Sequence, residues 1–535
     1  MRGTTMGGPD GPKITSVEQM FGQFAAEAVV LIPQWRERLA SDPSSLAELE
    51  PEIHRAFARG ADLIVAGLLS LALLSAQTQV AGEQTRRGFA YPLARGRERT
   101  VRMRLLGGLL IWATSFYCEP KRGRFRKAHP DAQGLYVELA QFGFTKFETP
   151  ALQSRIARQA ALCPSLAFAQ KELARGGVKL DVKTVRRVAH QTGLGLLSLR
   201  RYELMQWRAG KLPTGSELAG KRVSVQIDGG RTRLRGPLEK VASTPDSAEQ
   251  AEAPEAGRSK PKARRTFKAQ WREPKLAIIF VHDEHGRMVE TARATVEGTF
   301  QGPDAITELV AMHLHRLGAA QAQSVTFVAD GAPWIWDRVV RICELAKIDR
   351  GRVYEVLDNC HAAHHVSLAL VALGLADQRR HELYRAYRTL VRNGNWRQVV
   401  DELKELAMGQ PGEDAVMTEL TYLRKHGEAG RLSYPHFKRL GIPLGSGAIE
   451  SNIRRVINLR LKSNSMYWRE PAAESMLQLR GQIITEQWDS RMKQARIHHS
   501  KNPQTHWEFE PQAMSKKSEG ENQEDEKPTN SLATT

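Results

Sequence analysis

Three carboxylates in this sequence lie where a strand ends or a helix begins. Asp228 ends the alternating run VSVQID before two glycines, and Asp330 ends SVTFVAD before one. Alternation of this kind predicts a strand, and ligands in open α/β sheets bind outside strand ends. Glu450 falls in the first turn of a helix predicted to be capped by Ser446, where the helix dipole favours an ionised carboxylate. All three are candidates for holding metal ions.

A row of cations follows Glu450. The helix predicted from Gly447 has an apolar face at helical spacing, and its other face carries Arg454, Arg455, Arg460 and Lys462. A carboxylate at a helix start, backed by cations, suits a site that holds metal ions and a phosphodiester together. The alternative is an amphipathic surface helix with solvated charges, and this stretch alone leaves both open.

Five segments in order carry a resemblance to a known family. They are VQIDGG, VADGAPWIW, LDNCHAAHH, GSGAIESNIRRVINLRLKSNSMYW and AAESMLQLRGQIITEQWD. Together they resemble the transposases of bacterial insertion sequences of the ISKra type, in the DDE superfamily, over about residues 90 to 490. Each short motif is nonspecific, but five in one order favour the family. The resemblance implies a DNA transposase with an RNase-H-like catalytic domain.

The resemblance also implies roles for the carboxylates. Asp228, Asp330 and Glu450 would be catalytic and would hold two Mg²⁺ (or Mn²⁺) ions. In-line displacement at a phosphodiester is assisted by two divalent ions about 3.5–4 Å apart, and Mg²⁺ prefers carboxylate oxygens. We assign Asp228 to both ions, Asp330 to one and Glu450 to the other. Water would first free a 3′-hydroxyl, which would then attack target DNA.

Two residues of the LDNCHAAHH segment need a decision. Asp358 also ends an apolar strand, so it competes with Asp330, although it can instead cap the helix that begins near His361. His361 is expected to lie behind the metal ligands or to contact DNA.

The family's small zinc-ribbon-like module is built from cysteine pairs, whereas this chain keeps only Cys118 there. A structural zinc site needs about four ligands, so no zinc is expected.

Charge and composition indicate the partner. The 535 residues carry a formal net charge of +19 with a sequence pI near 9.9, which predicts a polyanion, most simply double-stranded DNA. The longest apolar runs are short for a membrane span of roughly 20 residues, and residues 1–13 do not resemble a signal peptide. Four scattered cysteines provide no disulfide framework. We expect a bacterial cytoplasmic protein at the nucleoid, with no membrane contact.

The predicted fold class is α/β, an RNase-H-like mixed sheet with an all-helical insertion, preceded by a mainly helical DNA-binding region. Core strands are expected to end at Asp228, Asp330 and Asp358, with two more over 274–282 and 287–296. Residues 1 to about 14 are expected to be disordered. The predicted regions are 1–90 (helical), 91–147 (β-hairpin module), 148–215 (helix-turn-helix), 216–360 with 440–490 (catalytic core), 238–268 (disordered insertion), 361–439 (helical insertion) and 491–535 (disordered tail).

The helix-turn-helix prediction rests on a glycine turn followed by a basic short helix capped by Asp181. Such a second helix can enter the major groove of duplex DNA. A separate helix is expected over about 194–207. The proposed DNA contacts are Lys183, Thr184, Arg186 and Arg187, and an ordinary helical hairpin with a solvated basic face is the alternative.

Two other functions share most of these residues. The chain could be an inactive DNA-binding protein derived from a transposase, although all three acidic positions are intact. A purely hydrolytic DNA nuclease would use the same carboxylates and never join strands. If the chain is a transposase, chemistry on paired DNA ends favours a homodimer or larger assembly.

Overall fold

The computed structural model describes residues 3–89, 91–128, 132–236, 267–463 and 466–501. Three long helices and a small sheet form its N-terminal part. The elements are β1 (Thr4–Met6), α1 (Val17–Ser41), α2 (Leu46–Leu74), α3 (Ala76–Arg87), β2 (Arg97–Arg104), β3 (Leu110–Cys118), α4 (Arg124–Ala128), β4 (Leu135–Tyr136) and α5 (Val137–Gln141).

The predicted β-hairpin is formed by β2 and β3, which pair antiparallel and are joined by a turn at Gly107–Gly108. β1 also pairs with β3, so the start of the chain is not wholly disordered as expected. The reason is that Ile14 is buried and its N–H donates to the Thr4 carbonyl, which anchors the segment to the hairpin.

Among the residues that the structure describes, one helical stretch, Pro43–Leu74, is long and apolar enough to cross a membrane by length and composition alone, and 44 % of its most apolar window is buried. A single helix of this kind is weak evidence, because well-packed core helices meet the same criterion.

The next part is α6 (Pro150–Leu162), α7 (Leu166–Arg175) and α8 (Val182–Arg208). Asp181 caps α8 as predicted, accepting from the Thr184 N–H. However, the short helix and the separate helix over 194–207 are one continuous helix of 27 residues. Gly193 lies inside this helix, and a Cβ there would lie only 2.5 Å from Ser475 Cβ. The glycine allows close packing between helices. Only the predicted end of the short helix is therefore wrong, since α7, the glycine turn and the start of α8 follow in the predicted order.

The central region is a mixed five-stranded sheet with helices on it. Its elements are β5 (Arg222–Gly229), β6 (Thr232–Gly236), β7 (Lys268–Arg272), β8 (Lys275–His282), β9 (Thr295–Thr299), α9 (Gly302–Arg316), β10 (Ser324–Ala329), α10 (Pro333–Ala346) and β11 (Val353–Leu357). The sheet order is β11-β10-β5-β8-β9, with β5, β10 and β11 parallel and β8 and β9 antiparallel to their neighbours. This architecture is compatible with the RNase-H-like fold that the sequence predicts.

Two expectations for this region need correction. The strand predicted over 287–296 begins only at Thr295, because the residues after Asp283 form a turn in which its carboxylate accepts from two backbone N–H groups. The insertion predicted to be disordered to residue 268 lies mostly outside the described residues. Lys268 belongs to a strand, because β7 pairs antiparallel with β6.

The predicted helical insertion consists of α11 (Asn359–Ala372), α12 (Asp377–Arg392), α13 (Trp396–Ala407), α14 (Glu413–Glu428) and α15 (Tyr434–Arg439). The chain then forms α16 (Gly447–Asn452), a π-helical segment (Ile453–Asn458), α17 (Glu470–Ile484) and α18 (Trp488–Lys501). Residues 491–501, expected to be a disordered tail, are thus helical, because Met492 and Ala495 are buried in an apolar cluster. The rest of the predicted tail lies outside the described residues.

Candidate metal-ion and DNA site

Strand register brings two of the three candidate carboxylates together. In the parallel pair β5–β10, Gln226 is opposite Val328. Two residues further on, Asp228 therefore faces the position of Asp330. Neighbouring strands lie about 4.8 Å apart, and residues in register point to the same face of a sheet. The two carboxylates thus project side by side at the carboxyl ends of adjacent parallel strands.

The surroundings of Asp228 disfavour its charged form. Burial raises the pKa of Asp228 to about 6, the negative charge of Asp330 adds to this, and Glu273 contributes a smaller rise. A hydrogen bond from the Gly229 N–H at 2.6 Å and the nearby His361 act in the opposite direction. Repulsion within a partly buried pair of like charges is what a bound cation would relieve.

Glu450 lies beside this pair but does not complete a metal site here. Its side chain is 56 % exposed, and its Oε1 lies 4.0 Å from His361 Nε2. His361 therefore lies between the two parts of the site, close to Glu450 and influencing Asp228. Within the described ranges, no three His, Cys, Asp or Glu side chains are placed to hold a metal ion together. The structure thus assembles Asp228 and Asp330, with Glu450 nearby on a separate helix.

Gln226 ties the Glu450 helix to the strand of Asp228. It lies two residues before Asp228 and so on the same face of the sheet. Its Nε2 donates to the Gly445 carbonyl at 3.1 Å, and its Oε1 accepts from the Ile449 N–H at 3.0 Å. Sequence reasoning missed this residue, since a glutamine inside a strand has no local signature of a long-range clamp.

Asp358, like Gln226, holds the start of α16 in place. One carboxylate oxygen accepts from the N–H groups of Cys360 and His361 at 2.6 and 3.0 Å and so caps α11. The other accepts from the Ser446 N–H and from its hydroxyl, the latter at 2.7 Å. Asp358 is 2 % exposed, so this carboxylate is fully used within the protein.

These bonds also change the role predicted for Ser446. Its side chain makes no capping hydrogen bond to α16. The hydroxyl is instead bonded to Asp358 and lies 3.3 Å from Glu450 Oε1. Asp358 and Ser446 therefore add a second set of bonds, besides those of Gln226, that holds the start of α16 at the sheet edge.

Glycines beside the aspartates make room for protein. A Cβ at Gly331 would collide with the Tyr422 ring, and one at Gly230 with Ile457. Tyr422 is stacked on His365, with 3.5 Å between ring centroids. Burial and the charges of Asp330 and Asp358 raise the pKa of Tyr422. The helical insertion therefore packs directly against the candidate site through α14.

The cations predicted to contact DNA are not all available. Lys183 and Arg186 are exposed, and Thr184 is partly buried. Arg187, in contrast, pairs with Glu148 at 2.5 Å and hydrogen-bonds Gln191 at 3.0 Å. Its prediction as a DNA contact is not supported, because the guanidinium is engaged by a carboxylate that is itself buried.

The cations after Glu450 divide in the same way. Arg454, Arg455 and Lys462 are exposed. Arg460 is only 2 % exposed; its Nε donates to the Ala160 carbonyl at 3.0 Å, and its guanidinium lies over Trp468 at 5.0 Å. Burial and the nearby Arg480 lower the pKa of Arg460 to about 10. Arg460 packs two regions together and is wrongly predicted as a DNA contact.

Comparisons with known proteins add one structural neighbour. No protein-family model matches the sequence, and no curated protein matches it. Among solved structures, the Drosophila P element transposase strand transfer complex is similar over 64 % of this chain and 93 % of that chain, with 10 % sequence identity and a TM-score of 0.30.

Proposed function

We propose that this chain is a DDE-type DNA transposase with an RNase-H-like core, of the ISKra insertion-sequence kind, which cuts and joins DNA ends. The observation that carries the proposal is the pair Asp228 and Asp330 at the ends of adjacent parallel strands, where burial and like charge raise the pKa of Asp228 to about 6. Structural carboxylates are usually paired with cations or hydrogen bonds, whereas strongly perturbed ones cluster at functional sites.

The donor set fits hard divalent ions, because it consists of carboxylate oxygens. Asp228 and Asp330 would hold Mg²⁺ or Mn²⁺, with Glu450 as the third carboxylate. When bound, two such ions activate the attacking oxygen and stabilise the leaving oxygen of a phosphodiester.

The protein's own residues set where this chemistry takes place. Gln226, Asp358 and Ser446 fix the start of α16 against the sheet. Because the Glu450 side chain is more than half exposed, we infer that its rotation towards Asp228 completes the site. His361, 4.0 Å from Glu450, would then hold that carboxylate in place.

The DNA would approach over exposed cations. Arg454, Arg455 and Lys462 lie on the surface after Glu450, and the net charge of +19 favours a polyanion. The proposed partner is double-stranded DNA, bound by a dimer or larger homo-oligomer in the bacterial cytoplasm.

The test is cleavage and joining by the Asp228→Asn and Asp330→Asn variants. The substrate is a supercoiled plasmid carrying the DNA that flanks the gene, with Mg²⁺ and a second plasmid as target. Each variant keeps the side-chain shape but loses a charge that binds cations. Nicking should fall by roughly 10²–10³-fold or more, the size seen when one charge-stabilising group is lost, while plasmid binding should persist.

Asp401→Asn is the matched control, because Asp401 is exposed on α13, and it should cut normally. Undiminished nicking by Asp228→Asn would refute the proposal. Nicks without joined product would indicate a hydrolytic nuclease, and binding without any nicking by the unmodified protein would indicate an inactive DNA-binding relative.

A further inference from the structure

A small β-ribbon beside the candidate site has no role in the fold described so far. It consists of residues 231–236 and 267–272, which contain β6 and β7 and are called the β6–β7 ribbon below. These residues include five cations and no carboxylate: Arg231, Arg233, Arg235, Lys268 and Arg272. The ribbon is therefore positive, although Arg272 lies 3.9 Å from the Glu470 carboxylate.

The pleat separates a packed side of β6 from an outward side. Thr232, Leu234 and Gly236 are buried, whereas the arginines that alternate with them are partly or fully exposed. Trp271 lies opposite Arg233 in the antiparallel register, so the two share the outward face. All five residues of β7 are exposed.

Aromatic rings lie among these cations. Trp271 is 53 % exposed, and the guanidinium carbons of Arg231 and Arg233 each lie 5.4 Å from its ring centroid. Arg233 also lies 5.1 Å from the Tyr467 ring, and Arg235 lies 4.7 Å from the Phe267 ring. Cation–π contacts of this kind fix both partners in orientation. The ribbon thus presents an oriented, exposed indole within a field of guanidinium groups.

The ribbon is also connected to the strand that carries Asp228 and to the segment that follows the Glu450 helix. It begins three residues after Asp228. The Thr232 hydroxyl donates to the Leu461 carbonyl at 2.8 Å, and backbone bonds of 2.8 and 3.1 Å join Arg235 and Arg233 to Trp468. Residues 461–468 follow the helix that carries Glu450. A strand held on the ribbon would therefore lie next to the carboxylates.

We propose that the β6–β7 ribbon binds an unpaired stretch of DNA strand beside the carboxylate pair. A base would stack on Trp271, and Arg231 would bind a neighbouring phosphate. Arg233 and Arg235 each donate one N–H to a backbone carbonyl, of Ser463 at 2.6 Å and of Tyr467 at 3.1 Å, and their remaining N–H groups would bind further phosphates. Aromatic platforms among cations are how single strands are held without sequence preference. Duplex DNA fits the exposed indole less well, because its base faces are covered by neighbouring pairs. The proposal rests on the proposed function for why a strand end comes to this site.

The experiment measures binding of the full chain to a fluorescent oligothymidine of about 12 nucleotides, within the usual range of single-strand site sizes, and to a duplex of equal length. Divalent ions are removed with a chelator, so that no strand is cut. Trp271→Ala should weaken single-strand binding about 5-fold to 150-fold, the equivalent of about 1–3 kcal/mol for one stacked base, with little change for the duplex.

Two variants serve as controls. Trp271→Phe keeps a ring and should retain most of the single-strand affinity, which separates stacking from misfolding. Phe21→Ala removes an aromatic that is 57 % exposed on α1, far along the chain from the ribbon, and should bind as the unmodified protein does.

Unchanged single-strand binding by Trp271→Ala would overturn the proposal. So would an equal loss for duplex and single strand, which would make the ribbon a duplex contact. The result is independent of cleavage: a chain that binds through Trp271 and never nicks DNA refutes the proposed function alone. A chain that nicks normally with Trp271→Ala binding unimpaired refutes the ribbon alone.

Discussion

Buried or partly buried carboxylates occur in two places near the central sheet, and their surroundings differ. At one place, on β9 and α17, Glu297 and Glu474 share the guanidinium of Arg200 at 2.8 and 2.6 Å. Glu297 also accepts from Gly298 N–H at 2.9 Å and lies 3.0 Å from His313. At the other, at the ends of β5 and β10, no ion pair with a cation is found for Asp228 among the residues that the structure describes.

The pKa of Glu297 follows this difference, whereas that of Glu474 does not. Burial alone would raise the pKa of Glu297, but Arg200 and His313 hold it below its ordinary value. Burial raises the pKa of Glu474 despite Arg200, and it raises that of Asp228 to about 6 with Asp330 adding to the rise. The first place uses its charges to join helices to the sheet. At the second, burial and the charge of Asp330 disfavour the ionised form of Asp228, and a bound cation would offset this cost.

The largest expected effect on the free energy of unfolding is at the ion pairs of Arg200 with Glu297 and Glu474. Arg200 is 1 % exposed, and Arg200→Met would leave Glu297 and Glu474 buried without their cation. Breaking one partner of such a group costs about 3–5 kcal/mol. Urea denaturation should show a loss of that size, while Arg186→Met, exposed on the same helix, should change the free energy of unfolding by less than about 0.5 kcal/mol. Equal stability of the two variants would mean that the network contributes nothing.

Removing the charge of Asp228 should change stability in the opposite direction, because Asp228 has no cationic partner among the described residues. Because the folded pKa of Asp228 is about 6 against an ordinary value of 3.8, the folded state binds a proton more tightly than the unfolded one. This contribution is complete below about pH 4 and is lost as the pH rises through 6. At pH 8 in a chelator, Asp228→Asn should therefore be more stable than the unmodified protein by on the order of 2–3 kcal/mol.

The stability difference should shrink at pH 4, and Mg²⁺ should stabilise the unmodified protein more than the variant. Thermal unfolding at pH 4, 6 and 8, with and without Mg²⁺, checks all three points. Destabilisation by Asp228→Asn at pH 8 would show that Asp228 is a structural group like Glu297.

The smallest expected effect concerns the helix contact behind the Arg200 network. Arg200 is on α8 and Glu474 on α17, and these helices approach closely where Gly193 meets Ser475. Gly193→Ala should destabilise by about 1–3 kcal/mol through overpacking. Gly195→Ala is the matched control: nothing lies within 4 Å of its Cβ position, so it should stabilise the helix by about 0.5–1 kcal/mol. Effects of the same sign would contradict close packing at Gly193.

The sequence alone predicted the parts of the fold that have a local pattern. Alternation marked β5 and β10, short apolar runs marked β8 and β11, and helical periodicity marked the insertion over 361–439. It also placed Asp228 and Asp330 at strand ends, because a strand's period and its terminating glycine are both readable over a few residues.

Only the tertiary structure decided which charges are exposed and which residues join distant segments. Arg460 and Arg455 read alike in the sequence, yet Arg460 bonds a carbonyl 300 residues away. Asp358 and Ser446 hydrogen-bond although 88 residues separate them. Likewise, β6 and β7 pair although residues 237–267 separate them in the sequence. Such pairs leave no trace in local periodicity, because burial and partnership are set when separate elements pack.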